Sequence, residues 1–369
     1  MNADKKKITV AVGMSGGVDS SVAAALLVKQ GYNVIGITMK TYDYMEVGGN
    51  IRNEGTCCDQ RAVIDAHTIA DKLGFSHYVV NYREEFNEVV IKNFIDEYMR
   101  GRTPNPCVIC NKEIKWGAML KKAEELGAHF IATGHYARVR YDDQRKRYIL
   151  SRGKYAEKDQ SYALWAVTQN SLSKTMFPLG ELTKPEVRVL AEQYGLINAQ
   201  KQESFEICFV PDDRYERFLN ERISNLQERV SGGDIIQNGK VVGKHNGYPF
   251  YTIGQRRNLG AYKQKMYVTA IESQTNTIRI GSDAELHHRT LIADQVNWSS
   301  IAGLEGSMRV QAKVRYKDEG TDAFISIQQS GKIRVTFDHP KRAITPGQSV
   351  VVYDSDDLLC GGIIEEVMD

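Results

Sequence analysis

Apolar runs long enough to cross a lipid bilayer are missing from this chain of 369 residues, so the sequence predicts no membrane-spanning helix. The apolar segment after Lys5, Lys6 and Lys7 is too short for the core of a secretory signal, and we therefore expect a cytoplasmic protein. Internal repeats and low-complexity tracts are absent as well. Because the chain is too long for one ordinary hydrophobic core, two or three globular domains are expected.

The formal net charge is also small, at +2. A surface that binds nucleic acid would therefore have to be local, with the acidic residues segregated elsewhere. Basic residues cluster in three places, namely residues 138–147, Arg256 with Arg257, and Lys341 with Arg342. These clusters are the predicted positive patches.

Cysteine is scarce, and the six cysteines are Cys57, Cys58, Cys107, Cys110, Cys208 and Cys360. In a cytoplasmic chain, the Cys-x-x-Cys pair at 107 and 110 indicates catalysis, redox chemistry or metal binding rather than a structural disulfide. A zinc ribbon would need a second such pair, which is missing. Cys57 and Cys58 are predicted to have a structural or lid role, and Cys360 to lie in a core. By its own segment alone, Cys208 is expected to be a small buried hydrophobic residue.

A glycine-rich loop from Ser15 to Ser20 is the strongest signal in the sequence. It lies between two apolar runs, which predicts a strand, a tight turn and a helix in that order. Two glycines allow an anion to approach the backbone, two serines add hydroxyl donors, and the helix N-terminus adds amides and a favourable dipole. No lysine follows the second glycine, so this is not a Walker A loop. It resembles the pyrophosphate loop of the PP-loop ATP pyrophosphatases, which split ATP into AMP and pyrophosphate.

The first half of the chain alternates strand and helix patterns. Strands are predicted at residues 8–13, 33–39, 76–80 and 129–133, and helices at 20–30, 59–73, 84–100 and 111–126. This alternation is typical of an α/β doubly wound parallel sheet, whose ligands bind at the carboxyl ends of the strands. A further helix is expected to start at Thr183, where Glu186 completes a capping box.

The second half of the chain changes to short strands. A short helix is predicted at residues 212–223, a tight hairpin at Asn238 and Gly239, and strands at 309–316, 323–328, 333–337 and 349–353. Regularly spaced short strands favour a small β-barrel. We expect three domains: a catalytic domain at 1–211, a small β-rich central domain at 212–286 and a C-terminal β-barrel at 287–369.

A proline-stiffened loop from Thr103 to Asn111 carries the cysteine pair. Asn111 is expected to cap the helix that follows. Cys110 would then lie at a helix N-terminus, where the dipole and nearby basic side chains favour the thiolate.

Taken together, these segments resemble the tRNA-specific 2-thiouridylases, bacterial enzymes that thiolate the wobble uridine of some tRNAs. The resemblance runs from end to end, whereas the phosphate loop alone would indicate only the superfamily. The matching motifs are Gly13 to Ser20, the Pro-Asn-Pro loop with Cys110, Ala132 to Tyr136, Lys158 to Tyr162, the segment around Cys208, Thr252 to Arg256, Arg315-Tyr316 and Pro346 to Gln348.

The resemblance implies roles for individual residues. Cys110 would be the nucleophile and Cys208 the persulfide carrier. ATP would bind to Gly13, Met14, Ser15, Gly16, Gly17, Val18, Asp19, Ser20, Met39 and Gly134. The target base would contact Asn105, Pro106 and Cys107. The remaining tRNA contacts would come from His135, Lys158, Asp159, Gln160, Arg315, Tyr316 and Gln348.

The implied reaction transfers AMP from ATP to the uracil 2-carbonyl oxygen, after which persulfide sulfur attacks the activated carbon. The two thiols then release sulfide or close a disulfide bond. The expected cofactors are ATP and Mg²⁺, with Asp19 as a metal ligand. The expected partners are tRNA, whose target base is flipped out of its stack, and a sulfur donor protein, either a cysteine desulfurase or a sulfur-relay protein.

Cys107 departs from the family pattern, because several relatives have an Asp there to which an acid/base role has been given. A thiol is a poorer general base unless its pKa is lowered. With Cys110 and Cys208 it also provides three thiols that could hold an iron–sulfur cluster with one open iron position. The persulfide route is favoured, because relatives without this third thiol share the rest of the pattern.

Two alternative functions stay open. Another PP-loop adenylating ligase, of the argininosuccinate or amidotransferase type, would not need the cysteine pair. A non-catalytic tRNA- or metal-binding protein would use the barrel as a binding module, but the intact phosphate loop argues against it.

Overall fold

The computed structural model describes residues 5–43, 60–201, 207–328 and 330–369. Cys57, Cys58, the glycine-rich segment at 48–55 and residues 203–206 beside Cys208 lie outside these ranges. The structural or lid role of Cys57 and Cys58 therefore stays a prediction. Within the described ranges, no helix is long and apolar enough to span a lipid bilayer.

Strands and helices alternate in the first half of the chain, and strands dominate the second. The strands are β1 (Thr9–Gly13), β2 (Asn33–Lys40), β3 (Ser76–Asn81), β4 (Phe130–Ala132), β5 (Ala137–Asp142), β6 (Arg147–Arg152), β7 (Thr175–Met176), β8 (Asp234–Gln237), β9 (Lys240–Lys244), β10 (Tyr267–Glu272), β11 (Thr277–Gly281), β12 (His287–Trp298), β13 (Ser307–Lys313), β14 (Thr321–Ile327), β15 (Ile333–Arg342), β16 (Ser349–Asp354) and β17 (Asp357–Met368). The helices are α1 (Val18–Lys29), α2 (Gln60–Leu73), α3 (Arg83–Phe86), α4 (Lys92–Met99), α5 (Pro106–Ile109), α6 (Leu120–Glu125), α7 (Gln169–Ser173), α8 (Lys184–Gln193), α9 (Tyr215–Arg222) and α10 (Leu226–Val230). Two π-helical stretches, Asn87–Ile91 and Cys110–Met119, join α3 to α4 and α5 to α6.

The N-terminal strands form a parallel sheet in the order β3-β2-β1-β4-β7, as the alternating pattern predicts. Because the strand order reverses between β1 and β4, the crevice outside their carboxyl ends is the expected ligand site of a doubly wound sheet. The glycine-rich loop leaves β1 at this crevice, and Thr133, Gly134 and His135 follow β4 there. Val10 and Val12 of β1 pack with Val22 of α1 in the core beside the sheet.

The C-terminal strands confirm the predicted barrel. Strands β12-β15-β14-β13-β16-β17 pair antiparallel in that order, and pairing of β12 with β17 closes the ring. Cys360 is fully buried in the barrel core, as expected. Between sheet and barrel, β8 to β11 form a four-stranded sheet. Asn238 and Gly239 have φ of 50° and 74° between β8 and β9, which confirms the tight hairpin.

The hairpin β5–β6 was not predicted from the sequence. It leaves the N-terminal part of the chain and extends the barrel sheet, where Ser151 pairs with Asp357 of β17. The Arg140 guanidinium donates two hydrogen bonds to the Asp357 carboxylate, at 2.9 and 2.7 Å. The N-terminal part and the barrel therefore share one sheet.

The helix that carries the cysteine pair begins at Pro106, earlier than the predicted start at Asn111. Proline suits this first helical position, where its missing N–H has no partner to lose. The capping role of Asn111 was wrong, since its buried amide donates to the Ala163 carbonyl at 2.8 Å. Cys107 lies in the first turn, and Cys110 begins the π-helical stretch. The dipole argument therefore applies to Cys107 and not to Cys110.

We expect Gly16→Ala to destabilise the protein by at least ~2 kcal/mol, because left-handed backbone is unfavourable for alanine and the site is closed. Gly16 has φ of 69°, and a Cβ there would lie 2.4 Å from the Ala62 carbonyl oxygen. Gly17→Ala is the matched control, since its Cβ would meet only the Ser15 hydroxyl, at 3.3 Å. Urea unfolding of both variants measures the difference, and equal effects would contradict the expectation.

Candidate active site

The glycine-rich loop forms a cradle at the start of α1. The Ser20 hydroxyl donates to the Gly17 carbonyl at 3.0 Å and accepts from the Ser15 amide at 3.2 Å. Gly17 is the N-cap of α1, so the first amides of this helix have no intrahelical acceptor. Amides at a helix N-terminus, together with serine hydroxyls, are the donors that bind phosphate groups.

Two side chains from a later segment restrain the loop. The Asn198 amide donates to the Gly16 carbonyl and to the Ser21 hydroxyl, both at 3.0 Å. The Lys201 ammonium donates to the same carbonyl at 3.3 Å and pairs with Asp65 at 2.9 Å. No sequence motif indicated these two residues, because their contacts arise only in the folded chain.

Asp19 is paired with a lysine that sequence analysis missed. The buried Lys184 ammonium lies 2.7 and 2.9 Å from the two Asp19 carboxylate oxygens, and the Tyr136 hydroxyl donates to one of them at 2.8 Å. The predicted capping box of Thr183 and Glu186 is present and starts α8 at Lys184. Helix α8 thus supplies the cation that a Walker A loop carries within itself. The role of Asp19 as a metal ligand stays a prediction, since a carboxylate oxygen that accepts a hydrogen bond can still bind a metal ion.

Gly134 completes the cradle because a side chain does not fit there. A Cβ at this position would lie 2.7 Å from the Ser20 nitrogen and 2.8 Å from the Asp19 carbonyl carbon. The chain after β4 can therefore approach the start of α1 closely. Met39 lies near the carboxyl end of the neighbouring strand β2. Backbone amides, hydroxyls and a buried ammonium around one crevice are a donor set that fits the phosphates of ATP.

The loop that precedes the cysteine pair is clamped by the barrel. The Gln348 side-chain amide donates to the Thr103 and Pro104 carbonyls at 3.2 and 2.7 Å. The Thr103 amide donates to the Pro346 carbonyl at 3.0 Å. Gly347 has φ of 90°, and a Cβ there would lie 2.8 Å from the Thr103 carbonyl oxygen. The structure therefore gives Gln348 a positioning role in this loop.

Side chains from all three parts of the chain meet at the same loop. Arg102 pairs with Glu97 at 2.7 Å and with Glu365 of β17 at 3.0 Å. The Thr103 and Thr252 hydroxyl oxygens lie 3.3 Å apart. The loop is therefore held by the catalytic, central and barrel parts together.

Lys115 of the cysteine helix contacts His135, which follows the end of β4. The Lys115 ammonium lies 3.4 Å from His135 Nε2, and the Thr133 hydroxyl lies 2.7 Å from His135 Nδ1. Because an ammonium only donates, Nε2 is the acceptor and Nδ1–H donates to Thr133. Burial, and next the Lys115 charge, hold the pKa of His135 well below its ordinary value, so the ring is neutral at pH 7.

Cys107, near Lys115, is exposed to solvent. Desolvation by the surrounding protein raises the pKa of the Cys107 thiol, and the nearby Lys115 charge partly offsets this rise. A neutral thiol is a weak general base. The structure thus agrees with the doubt about an acid/base role for Cys107.

Cys110 and Cys208 are both partly buried against one apolar cluster. The Tyr42 hydroxyl donates to the Cys208 carbonyl at 2.6 Å. Phe209 packs edge-on against Phe86 and Phe94, at centroid distances of 5.6 and 5.1 Å. The fold therefore brings the segments of both cysteines to the same cluster, although they are distant in sequence.

The three thiols do not form a metal site in this structure. Within the described ranges, no group of three Cys, His, Asp or Glu side chains is placed to hold a metal ion. Cys107, Cys110 and Cys208 all belong to those ranges. The choice between the persulfide route and an iron–sulfur cluster therefore stays a prediction.

Two side chains that were predicted to contact tRNA form hydrogen bonds within the protein. The buried Asp159 carboxylate accepts from the Gly153 and Ser161 amides, both at 3.0 Å. The Gln160 side-chain oxygen accepts from the Tyr136 amide at 3.0 Å. Asp159 therefore shapes this turn and does not present its carboxylate at the surface.

Other predicted contacts lie at the surface near the cysteine loop. Arg315 and Tyr316 are exposed, and Lys158 is half-buried. The Tyr316 ring packs edge-on against Tyr162, with 6.2 Å between centroids. The Tyr162 hydroxyl donates to the Ser349 carbonyl at 2.8 Å and lies near the side chain of Asn105. These contacts place the exposed turn of the barrel beside the loop predicted to hold the base.

Acidic side chains pair with some members of two of the three basic clusters. Arg138 pairs with Asp356 at 2.7 Å, Arg140 with Asp357 at 2.7 Å, Lys341 with Asp318 at 2.7 Å and Arg342 with Asp283 at 2.9 Å. Arg256 and Arg257 are exposed, and neither forms an ion pair with another described residue. They follow Thr252, which contacts the cysteine loop. The turn at Arg256 and Arg257 therefore keeps its positive charge, and the use of the three clusters as a tRNA surface stays a prediction.

Comparison with known proteins gives family matches along the whole chain. A family model described as the tRNA methyl transferase HUP domain matches residues 8–212. Models for the tRNA methyl transferase PRC-barrel domain and the aminomethyltransferase beta-barrel domain match residues 216–282 and 288–364.

Two proteins of similar sequence have the same functional name, and a solved structure with a different name has a partly similar fold. The tRNA-specific 2-thiouridylase of Salinibacter ruber is 51% identical, with 98% of this chain and 95% of that protein covered. The tRNA-specific 2-thiouridylase of Cytophaga hutchinsonii is 48% identical, with 98% of each chain covered. A 4-thiouridine synthetase solved with RNA and bound ATP is 19% identical over 59% of this chain and 51% of that one, with a TM-score of 0.37.

We expect alkylation of Cys107 to be slow at pH 7 and to accelerate as the pH rises past the ordinary thiol pKa of 9.0, because the pKa of this exposed thiol is raised. Lys115→Met should slow the reaction several-fold further, since it removes the charge that favours the thiolate. Lys112→Met is the control, because this exposed lysine pairs with Glu113 at 2.9 Å. Peptide mass spectrometry after iodoacetamide treatment measures each site, and fast labelling at pH 7 would contradict the raised pKa.

Proposed function

The chain belongs to the tRNA-specific 2-thiouridylase family, and from this premise we propose how its residues carry out the reaction. It is an ATP-dependent tRNA sulfurtransferase that forms 2-thiouridine. One observation supports the assignment of roles: the helix that carries Cys110 packs against the strand that leads into the phosphate loop. Met119 of that helix packs on the end of β1, where its sulfur lies 3.4 Å from the Cβ position of Gly13.

The first step activates the uracil base. A 2-carbonyl lacks a leaving group, so its oxygen attacks the α-phosphorus of ATP and pyrophosphate departs. The loop from Ser15 to Ser20 and the Lys184 ammonium hold the departing pyrophosphate. Mg²⁺ bound to ATP would lower the charge of its phosphates. Asp19, which pairs with Lys184 in the ligand-free protein, is the residue that would bind that ion.

The second step transfers sulfur. Cys208 carries a persulfide, whose terminal sulfur attacks the activated C2 atom and displaces AMP. The Cys110 thiolate then attacks the Cys208 sulfur, which breaks its bond to the transferred sulfur, leaves 2-thiouridine and closes a Cys110–Cys208 disulfide. An external thiol reduces this disulfide. A cysteine desulfurase or a sulfur-relay protein renews the persulfide.

The target is the wobble uridine, flipped out of the anticodon stack to the loop of the cysteine pair. The base contacts Asn105, Pro106 and Cys107 of this loop, and Gln348 positions the loop. The tRNA makes its other contacts with His135, Lys158, Gln160, Arg315 and Tyr316. The reaction takes place in the cytoplasm, where tRNA is available.

A PP-loop ligase is not favoured as an alternative. The relatives named as 2-thiouridylases match almost the whole chain, including the central and barrel parts. The cysteine helix also occupies the crevice next to the phosphate loop, where a ligase does not need it.

Nucleoside mass spectrometry of tRNA after incubation with ATP and a sulfur source tests the function. We expect 2-thiouridine together with AMP and pyrophosphate in equal amounts. Pyrophosphate release that depends on an amine acceptor, without any 2-thiouridine, would indicate a ligase instead.

Cys110→Ser and Cys208→Ser should each abolish 2-thiouridine formation, because a hydroxyl neither carries nor releases sulfur. Adenylation of tRNA should survive in Cys208→Ser, since that step uses no thiol. Cys360→Ser is the control, because this thiol is buried in the barrel core. Thiolation and pyrophosphate release are measured separately with free sulfide excluded, and full thiolation by either variant would refute the assigned roles.

Arg256→Gln and Arg257→Gln should each weaken tRNA binding and reduce the log–log salt slope by roughly 0.7–0.9, the value for one lost phosphate contact. Arg140→Gln should change the slope little, because its guanidinium is already paired with Asp357. Filter binding at several salt concentrations measures the slopes. A larger effect of Arg140→Gln would mean that the hairpin, and not the turn after Thr252, forms the tRNA surface.

A further inference from the structure

Lys115 carries a positive charge that the described part of the chain does not balance. Its hydrogen-bond partner there is His135 Nε2 at 3.4 Å, on a ring that is neutral. The Cys107 thiol nearby is neutral as well. A half-buried ammonium whose described neighbours are neutral is a place where an anion can bind. Lys184 differs, because Asp19 already neutralises it.

The position of Lys115 is fixed by the fold on both sides. Its neighbour Trp116 is buried, and the indole N–H donates to the Thr175 hydroxyl at 2.7 Å. On the other side, the Thr133 hydroxyl orients His135 at 2.7 Å, and His135 then holds the ammonium. The π-helical stretch Cys110–Met119 sets this register, and such stretches occur often at functional sites.

Lys115 also lies between the two substrates of the proposed function. Cys107, whose thiol senses its charge, belongs to the loop that contacts the base. His135 follows Gly134, which packs against the first backbone atoms of α1 at the phosphate cradle. Met119, about one helical turn from Lys115, packs on the end of β1. A group in this place can reach the point where base and nucleotide join.

We propose that Lys115 is a further catalytic residue, whose ammonium stabilises the α-phosphoryl oxygens of ATP while AMP is transferred to the uracil O2 atom. In this step O2 bonds to the α-phosphorus, the bond from that phosphorus to the bridging oxygen of the β-phosphate breaks, and pyrophosphate leaves with the electron pair. The N3 proton of the uracil passes to water. Lys184 acts on the pyrophosphate side and Lys115 on the adenylyl side. This inference rests on the proposed function.

Single-turnover pyrophosphate release with tRNA and ATP tests the role of Lys115. Lys115→Gln should lower this rate by roughly 100-fold, as loss of one group that stabilises a transition-state oxyanion does. The dissociation constants of ATP and tRNA, measured separately, should change by less than about 5-fold, since the charge to be stabilised grows in the transition state. Lys115→Arg should recover part of the rate, and Lys112→Met should behave as the wild type.

Three results would overturn the proposal. The first is adenylation by Lys115→Gln at a rate within about 3-fold of the wild type. The second is loss of ATP or tRNA binding in proportion to the rate, which would make Lys115 a ground-state binding or structural residue. The third is normal adenylation with failed sulfur transfer. If the wild-type protein itself forms no 2-thiouridine, the proposed function fails, and that outcome is separate from all three.

Discussion

The close approach of the barrel to the loop before the cysteine pair is the constraint on which the active site depends. Gly347 reaches the Thr103 backbone without a side chain between them, and Gln348 bonds two carbonyls of the same loop. Two prolines stiffen the loop but do not decide where it lies. Its place beside the phosphate cradle comes from these contacts and from the Arg102 bridge to Glu365. The barrel, which carries proposed tRNA contacts, is thus joined directly to the loop that is proposed to hold the base.

The two lysines of the proposed active site, Lys184 and Lys115, have different surroundings. The phosphate cradle has amides, hydroxyls and one buried lysine, which pairs with Asp19. Next to it, His135 and the Cys107 thiol are neutral, and Lys115 forms no ion pair with a described residue. In the proposed reaction, Lys184 and Lys115 lie on opposite sides of the reacting phosphate, and the fold sets their positions before a substrate binds.

Much of the fold was predictable, because local patterns carry it. The strand and helix periods of the first half, the capping box at Thr183 and the Asn238–Gly239 turn each follow from short-range chemistry, and the structure has all of them. The predictions that failed involve partners distant in sequence. Asn111 looks like a helix cap, but it is buried against the Ala163 carbonyl. Ion pairs with distant residues are equally hidden in the sequence, such as those that join Arg138 and Arg140 to Asp356 and Asp357.

The sequence by itself determined the doubly wound sheet, the phosphate loop, the cysteines and, through its motifs, the chemistry of the family. These depend on periodicity, glycine positions and residue types, all of which are local properties. Tertiary structure decided which charges remain available and which residues share the crevice. Lys184, Lys115 and Asn198 belong to no motif, and they matter because folding places them beside Asp19, His135 and Gly16. Electrostatic and hydrogen-bond energies depend on distance in space, which residue spacing along the chain does not specify.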